Sequence, residues 1–285
     1  MIGRTHRVLS LSPLTILDAA PPDQVTAAAA AGFDALGVRV APAAGERVYP
    51  MLGDTPTMRE TLARLADTGR RVLDVELIIL RPDSQPDEAL PVLDAAARLG
   101  ARLVNVLGYD PDESRLVDRF AALCEAAAER GLRPGLEFMM YSGVKTLGDA
   151  MRIVTRAGHP AGAVTVDALH LRRSGGSPAD LVGQPPERLP YGQLCDAPLQ
   201  PVWPDEPRAR AESRGDRLLP GDGELPLREL VDALPAGAAL SVEAPVVALA
   251  REPAEVRARL AFTAATRLLA GRDEPGGTIA HADER

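Results

Sequence analysis

Cysteine and aromatic residues are scarce in this chain of 285 residues. It contains two cysteines, Cys124 and Cys195, and only 3% of its residues are aromatic. Two cysteines in so long a chain cannot form a disulfide framework. The opening residues MIGRTHRVLSLSPLT lack the apolar stretch of a signal peptide, and no segment approaches the ~20 uninterrupted apolar residues of a membrane-spanning helix. We therefore expect a cytoplasmic protein that does not associate with a membrane.

Basic residues are outnumbered by acidic ones. The chain has 32 Lys and Arg against 40 Asp and Glu, which gives a formal net charge of -8. Such a surface repels the phosphates of nucleic acids, and no polybasic stripe offsets it, so general nucleic-acid binding is not expected. With 46% hydrophobic residues, the chain is long enough to bury a substantial core and fits one large domain.

Short runs rich in β-branched residues and Leu alternate with longer segments rich in Ala, Leu, Arg and Glu. This alternation is typical of βαβ units. The predicted strands are residues 7–11, 35–40, 72–80, 103–107, 133–138, 163–167, 191–195 and 239–243. Eight strands, each followed by a candidate helix, predict a single α/β domain, the closed (β/α)8 TIM barrel. A doubly wound open sheet is the alternative, but no glycine fingerprint follows the first strand.

Three helices are specifically indicated, one after Pro21, one after Thr55 and one over residues 113–130, which Gly131 ends as a C′ glycine.

Two segments depart from the alternation of strands and helices. Residues 196–225 include PLQPVWPDEPRARAESRGDRLLPGDGE, which is too rich in Pro, Arg and Asp for a plain helix and too long for a simple connection, so we predict a functional loop. Residues 271–285 lack apolar periodicity, which predicts a disordered tail after a barrel domain of residues 1–270.

Three carboxylates stand where predicted strands end, namely Glu137, Asp167 and Glu243. Each lies on the less apolar face of its strand, and in a barrel that face points inward, at the C-terminal rim where barrel enzymes place catalysis. A single carboxylate at a strand end often caps the following helix instead. Three inward carboxylates repel one another unless a cation or protons neutralise them. The set therefore indicates a divalent metal site.

A fourth ligand is expected from the run YGQLCDAP. Strand alternation favours the amide oxygen of Gln193, and the carboxylate of Asp196 is the alternative. Carboxylate and amide oxygens suit Mn²⁺ or Mg²⁺ and argue against a tetrahedral Cys/His zinc site. Cys195 is interpreted as a small buried residue.

Five motifs together resemble the xylose-isomerase-like TIM barrels, the sugar and sugar-phosphate isomerase/epimerase superfamily. In chain order they are LEF with Glu137, TVDALH with Asp167 and His170, QLCDAP with Gln193, RLLPGDGEL with Arg217, and SVEAP with Glu243. The resemblance covers about residues 5 to 270. It implies metal ligands at Glu137, Asp167, Gln193 and Glu243, although the family has His where this chain has Gln193. Co²⁺ then joins Mn²⁺ and Mg²⁺ as a candidate ion.

The resemblance also implies that His170 and Arg217 contact the substrate. Glu76, in VLDVELIIL, is predicted to point into the barrel and to bind substrate or support the site. A buried carboxylate paired with an arginine from a neighbouring strand is the other interpretation of Glu76. Asn105 is expected inside the barrel as a structural amide, while Trp203 and Tyr141 fall on predicted rim loops as stacking or packing residues.

Such a site suits removal of a proton next to a carbonyl, through an enediolate, with Glu137 and Glu243 as acid and base. The expected enzyme is an isomerase or epimerase acting on a sugar, keto-sugar or related polyhydroxy carbonyl compound, with association into a homo-oligomer left open. A dehydratase or lyase acting on a keto-sugar or cyclic polyol ketone is the alternative. An apurinic endonuclease, which needs a histidine-rich zinc cluster, and a non-catalytic sugar-binding barrel rank lower; the chain has four histidines.

Overall fold

Eight parallel strands form a closed barrel in a computed structural model that describes residues 7–43, 46, 49–200 and 206–270. The strands are β1 (Leu9–Leu11), β2 (Ala35–Arg39), β3 (Arg71–Leu80), β4 (Leu103–Gly108), β5 (Arg133–Glu137), β6 (Ala163–Asp167), β7 (Tyr191–Leu194) and β8 (Ala239–Val242). They are ordered β1 to β8 around the barrel, and β8 pairs with β1. The predicted fold class is confirmed, and no predicted strand end differs from the observed one by more than two residues.

Helices surround the barrel and follow the strands in sequence. They are α1 (Pro21–Ala31), α2 (Pro56–Thr68), α3 (Leu90–Arg98), α4 (Glu113–Ala128), α5 (Leu147–Ala157), α6 (Ala168–Arg173), α7 (Glu206–Gly215), α8 (Leu227–Ala233) and α9 (Ala254–Ala270). The Asp112 side chain accepts a hydrogen bond from the Arg115 backbone N–H at the start of α4. Gly131, at φ +70°, follows its end in the left-handed conformation that a C′ glycine supplies. The three helices indicated by sequence are thereby confirmed.

The two faces of each strand have different surroundings. On β6, Val164 and Val166 are fully buried in the main apolar core that packs under the helices. Thr165 and Asp167 lie on the opposite face, toward the barrel axis. The lower end of the barrel interior is filled by a separate apolar cluster of Ala35, Leu73, Leu103, Tyr191 and Ala239. Because this cluster closes the lower end, the polar inward residues are left near the C-terminal ends of the strands.

The segment over residues 196–225 differs from its prediction, because it contains a regular helix, α7. Its run of Glu, Arg and Ala places Arg210 one turn after Glu206, and the two form an ion pair. Ala209, Glu212 and Ser213 are buried on its inner face. Tertiary contacts on that face therefore support a helix that composition alone argued against.

Some predictions lie beyond the described part of the chain. Trp203 and the proposed tail of residues 271–285 fall outside it. Among the described residues, no helix combines the length and the apolar composition needed to cross a membrane.

Candidate metal and active site

Three strand ends bring Glu137, Asp167 and Glu243 together at the upper end of the barrel. These residues, which we call the carboxylate triad, are buried, and each offers an oxygen that lies within 4.8 Å of the others. The glutamates at the ends of β5 and just after β8 thus meet the aspartate that ends β6, as strand alternation predicted. Three carboxylates at this spacing can share one metal ion.

Burial and mutual repulsion shift the pKa values of the triad carboxyl groups. Burial, together with the charges of Glu243 and Asp167, raises the pKa of Glu137 well above its usual range. Burial raises the pKa of Glu243 to about 7, against the opposing charge of Arg217. Burial acts to raise the pKa of Asp167 as well, but the charges of Arg217 and His170 outweigh it and hold that pKa low. The two glutamates are therefore the members of the triad that hold a proton more readily than an ordinary carboxyl group.

Arg217 lies inside the triad rather than beside it. It is 2% exposed, and its guanidinium pairs with Asp167 Oδ2 at 2.6 Å and Glu243 Oε2 at 3.2 Å. Its Nε donates to the Ser213 backbone oxygen over 2.8 Å. When all three carboxylates are ionised, their negative charges exceed the single positive charge of Arg217 by two. That excess equals the charge of a divalent cation, which supports a metal at this position.

Gln193 is the residue predicted to supply a fourth oxygen to the metal site. It is fully buried on β7, and its Nε2 donates to Glu243 Oε1 over 2.8 Å. Its Oε1 is buried and has no hydrogen-bond partner in the described part of the chain. A buried polar atom without a partner is costly unless a ligand satisfies it. The residues present therefore fit a metal held by the triad and the Gln193 amide oxygen.

Asp196, the alternative fourth ligand, is turned away from the triad. Its carboxylate accepts backbone N–H hydrogen bonds from Ala197, Gly221 and Leu225, each at 2.9 Å. It thereby holds the chain that leads to and from Arg217 in place. Cys195, next to it, is fully buried, and burial raises the pKa of its thiol. This supports the interpretation of Cys195 as an inert buried residue.

His170 stands in the first turn of α6, immediately after the triad aspartate. Its backbone N–H donates to Asp167 Oδ1 over 2.8 Å, so Asp167 caps this helix as well as belonging to the triad. The His170 Nε2 lies 3.8 Å from Glu137 Oε1. Burial lowers the pKa of the imidazole to about 4, so it is neutral near pH 7. The Tyr141 ring meets the imidazole edge to face at 5.7 Å between centroids.

Glu76 pairs with an arginine from the neighbouring strand. Arg39, at the end of β2, donates its Nε to Glu76 Oε2 over 3.0 Å and its Nη1 to Glu46 over 2.6 Å. The geometry matches the interpretation of Glu76 as a buried carboxylate paired with an arginine from a neighbouring strand. Arg39 itself lines the pocket. Asn105, expected as a structural amide, donates to Glu137 Oε2 over 2.6 Å and so contacts the triad directly.

The pocket above the triad has an apolar wall on one side. Ala43, Leu77, Leu107 and Met139 form this wall as a small buried cluster of their own. The same pocket is also lined by charged and polar side chains, including those of Arg217, His170, Ser213 and Arg214. The pocket therefore presents polar groups to one part of a ligand and apolar surface to another.

Sequence reasoning missed three contributors to this site. Ser12, just after β1, donates its hydroxyl hydrogen to Glu243 Oε1 over 2.8 Å. Arg39 and Arg214 both line the pocket. Arg39 lies one residue before the end of a predicted strand, so the rule that selected the carboxylates could have selected it. Ser12 is likewise a polar residue, immediately after the end of a predicted strand. Arg214 lies in the segment that was interpreted as a loop.

The chain belongs to the xylose isomerase-like TIM barrel family, whose model matches residues 25–265. The predicted resemblance is thus confirmed. A curated relative, the 3-dehydroshikimate dehydratase of Pseudomonas putida, is 32% identical over 149 residues, which are 49% of this chain and 22% of the relative.

Solved structures share the fold over nearly the whole chain. A fusion protein of a xylose isomerase-like TIM barrel with 4-hydroxyphenylpyruvate dioxygenase has a TM-score of 0.75 and 24% identity, over 95% of this chain and 46% of that one. The D-psicose 3-epimerase of Clostridium cellulolyticum H10 has a TM-score of 0.70 and 15% identity. That match covers 92% of this chain and 98% of the epimerase. This chain therefore spans less than half the length of the dehydratase and of the fusion protein. The relatives whose names state an activity are enzymes.

Proposed function

We propose that the chain is a metal-dependent dehydratase that removes water from 3-dehydroshikimate or a similar cyclic polyhydroxy ketone. The observation that carries the proposal is the buried triad with its two excess negative charges and the unpartnered Gln193 oxygen beside it. The relative matched at 32% identity by sequence is a 3-dehydroshikimate dehydratase. The epimerase shares only the fold at 15% identity. The lyase alternative is therefore favoured over the isomerase or epimerase.

The residues that would hold the metal are Glu137, Asp167, Gln193 and Glu243. All four offer oxygen, which favours Mn²⁺ or Mg²⁺, and Co²⁺ remains a candidate. When bound, the ion polarises the substrate carbonyl and so acidifies the neighbouring C–H bond. Arg217 remains paired with Asp167 and can offer a remaining N–H group to a substrate oxygen.

The proton transfers are assigned to the two triad glutamates. One carboxylate takes the proton from the carbon next to the carbonyl, and that electron pair enters the ring as a double bond. The C–O bond to the β-hydroxyl then breaks as the glutamate pair passes the abstracted proton to the leaving oxygen, and water leaves. Loss of water gives a ring that becomes an aromatic dihydroxybenzoate by tautomerisation. The raised pKa values of Glu137 and Glu243 match a pair in which one is protonated.

His170 and the apolar wall have supporting roles in this proposal. The imidazole is neutral near pH 7 because burial lowers its pKa to about 4. It can therefore accept or donate one hydrogen bond with a substrate hydroxyl. The wall of Ala43, Leu77, Leu107 and Met139 offers nothing to hydrogen-bond a hydroxyl. A ring that is becoming planar and apolar suits this wall better than an open sugar chain with a hydroxyl on every carbon.

Epimerisation or isomerisation of a keto-sugar is the second candidate. Two carboxyl groups with raised pKa values in one buried site also suit proton removal by one and return by the other. The two candidates differ in whether the β-hydroxyl leaves. An isomerase would return a proton to carbon, and its product would have the same composition as its substrate.

Product analysis in D₂O separates the two. The protein, supplied with Mn²⁺, is incubated with 3-dehydroshikimate and separately with a keto-hexose, and NMR follows both. We expect loss of water from 3-dehydroshikimate and the ultraviolet absorbance of a dihydroxybenzoate, with no deuterium entering the sugar. Deuterium incorporation into the keto-hexose without any dehydration would support the epimerase. The domain boundary at residue 270, the homo-oligomer and the cytoplasmic location stay predictions.

A further inference from the structure

Arg214 lies at the mouth of the pocket, above the carboxylate triad. It belongs to the last turn of α7, and it lines the same cavity as Glu137, His170 and Glu243. Its side chain is exposed to solvent. Within the described ranges of the chain, its guanidinium makes no hydrogen bond and no ion pair. A cation that faces a binding pocket without a protein partner is available to an anionic ligand.

The other arginines of the pocket are already paired. Arg217 is bound by Asp167 and Glu243 of the triad. Arg39, which also lines the pocket, is bound by both Glu46 and Glu76. Those three residues together have one excess negative charge. An anionic group of a ligand is therefore repelled on the Arg39 side and attracted on the Arg214 side.

The helix that carries Arg214 is held in place over the barrel. Glu212 forms a buried, two-bond ion pair with Arg173 at 2.6 and 2.8 Å. The next residue, Ser213, shares a hydrogen bond of 2.6 Å between its hydroxyl and that of Tyr141. Because both neighbours are anchored, the backbone at Arg214 has a defined position relative to the triad. The Arg214 side chain therefore starts from a fixed backbone position among the residues that line the pocket.

We propose that Arg214 forms a carboxylate-binding subsite that selects substrates with an acid group, and this proposal rests on the dehydratase function proposed above. A ring carboxylate placed on the α7 side meets Arg214, while the ring contacts the apolar wall and the carbonyl points to the triad. A neutral keto-sugar has no group for Arg214. The subsite therefore distinguishes acidic ring substrates from the neutral sugars on which epimerases act.

The test compares two aromatic ligands that differ only in the acid group, dihydroxybenzoate and catechol. Calorimetry measures their affinities for the Mn²⁺-loaded wild type, Arg214→Gln and Arg208→Gln. Arg208 lies on the same helix, outside the residues that line the pocket, so its variant removes an equal charge. We expect Arg214→Gln to weaken dihydroxybenzoate about 10-fold, the usual effect of losing a charge-assisted hydrogen bond at an exposed site. Catechol should bind all three proteins alike.

The outcomes separate the subsite from the dehydratase function. A wild type that binds both ligands equally, or an Arg214→Gln variant that loses both alike or neither, overturns the subsite. If the wild type does not dehydrate 3-dehydroshikimate, the proposed function fails, yet a carboxylate preference lost only in Arg214→Gln would still support the subsite. With an active wild type, we expect Arg214→Gln to raise KM about 10-fold. The same variant should leave kcat within about threefold, because Arg214 holds the substrate in ground and transition state alike.

Discussion

Gln193 donates its amide hydrogen to Glu243 across 2.8 Å and leaves its own amide oxygen buried and unpartnered. The donated hydrogen bond fixes the orientation of the amide, and the free oxygen lies on the inward face of β7. The metal site proposed above depends on this pair more than on any other contact.

Removing the Gln193 side chain tests that account. Gln193→Ala should weaken Mn²⁺ binding by about 10-fold or more, because the site loses one of its oxygen ligands. Gln193→His should retain a metal and shift the preference toward Co²⁺, Zn²⁺ or Mn²⁺ over Mg²⁺, because imidazole favours those ions. Titration with each ion measures both effects.

Asp196→Asn serves as the matched control for the Gln193 variants. Its carboxylate accepts backbone hydrogen bonds outside the triad, so this variant should keep the Mn²⁺ affinity of the wild type while losing some stability. Loss of metal in Asp196→Asn together with full affinity in Gln193→Ala would reverse the assignment of the fourth ligand.

Replacing either glutamate of the acid–base pair should abolish turnover. In Glu137→Gln and in Glu243→Gln the amide keeps the volume of the side chain but cannot transfer a proton, so we expect kcat to fall at least about 100-fold with the fold intact. Steady-state kinetics and circular dichroism measure the two properties. Activity close to that of the wild type in either variant would refute its catalytic role. Unfolding of both would support a purely structural role.

Strand alternation predicted much of this site because it is a local property of the chain. The inward carboxylates of β5, β6 and β8 follow from which face of each strand is less apolar. The pairing of Arg39 with Glu76 joins residues that are distant in sequence and required the closed barrel. The choice between Gln193 and Asp196 depended on where the chain leaves β7, since the Asp196 side chain turns toward the loop that follows Arg217.

Arg217 should be essential to the stability of the metal-free protein. It is the cation buried among three carboxylates, so Arg217→Met leaves those charges without compensation and should lower the free energy of unfolding by about 3–5 kcal/mol. Mn²⁺ should restore part of that loss, because the ion supplies the missing positive charge. Urea denaturation with chelator and with Mn²⁺ measures both effects. Equal stability of variant and wild type in chelator would show that the triad does not need this arginine.

Metal affinity should depend on pH through Glu243. Its pKa is raised to about 7 in the metal-free protein, against a usual value of 4.5. A group with a raised folded-state pKa contributes stability below its usual pKa, and that contribution is lost as the pH rises to about 7. Metal binding requires the ionised form, so the Glu243 proton alone should make Mn²⁺ affinity rise by up to about 10-fold per pH unit below 7.

Calorimetric titrations with Mn²⁺ at several pH values, from about 5.5 to about 8, check this dependence. Glu243→Gln is the control, since it lacks the titrating group and should bind weakly with a flatter profile. Affinity of the wild type that stays constant across this range would contradict the shifted pKa as the cause.

The most direct measurement of the central claim is turnover of 3-dehydroshikimate against the amount of metal returned to chelator-stripped protein. The account predicts no dehydration without metal and a linear rise with added Mn²⁺ that ends near one ion per chain. It also predicts the aromatic absorbance of a dihydroxybenzoate as the signal. Full turnover in the stripped protein, or none at any Mn²⁺, Mg²⁺ or Co²⁺ level, would contradict it.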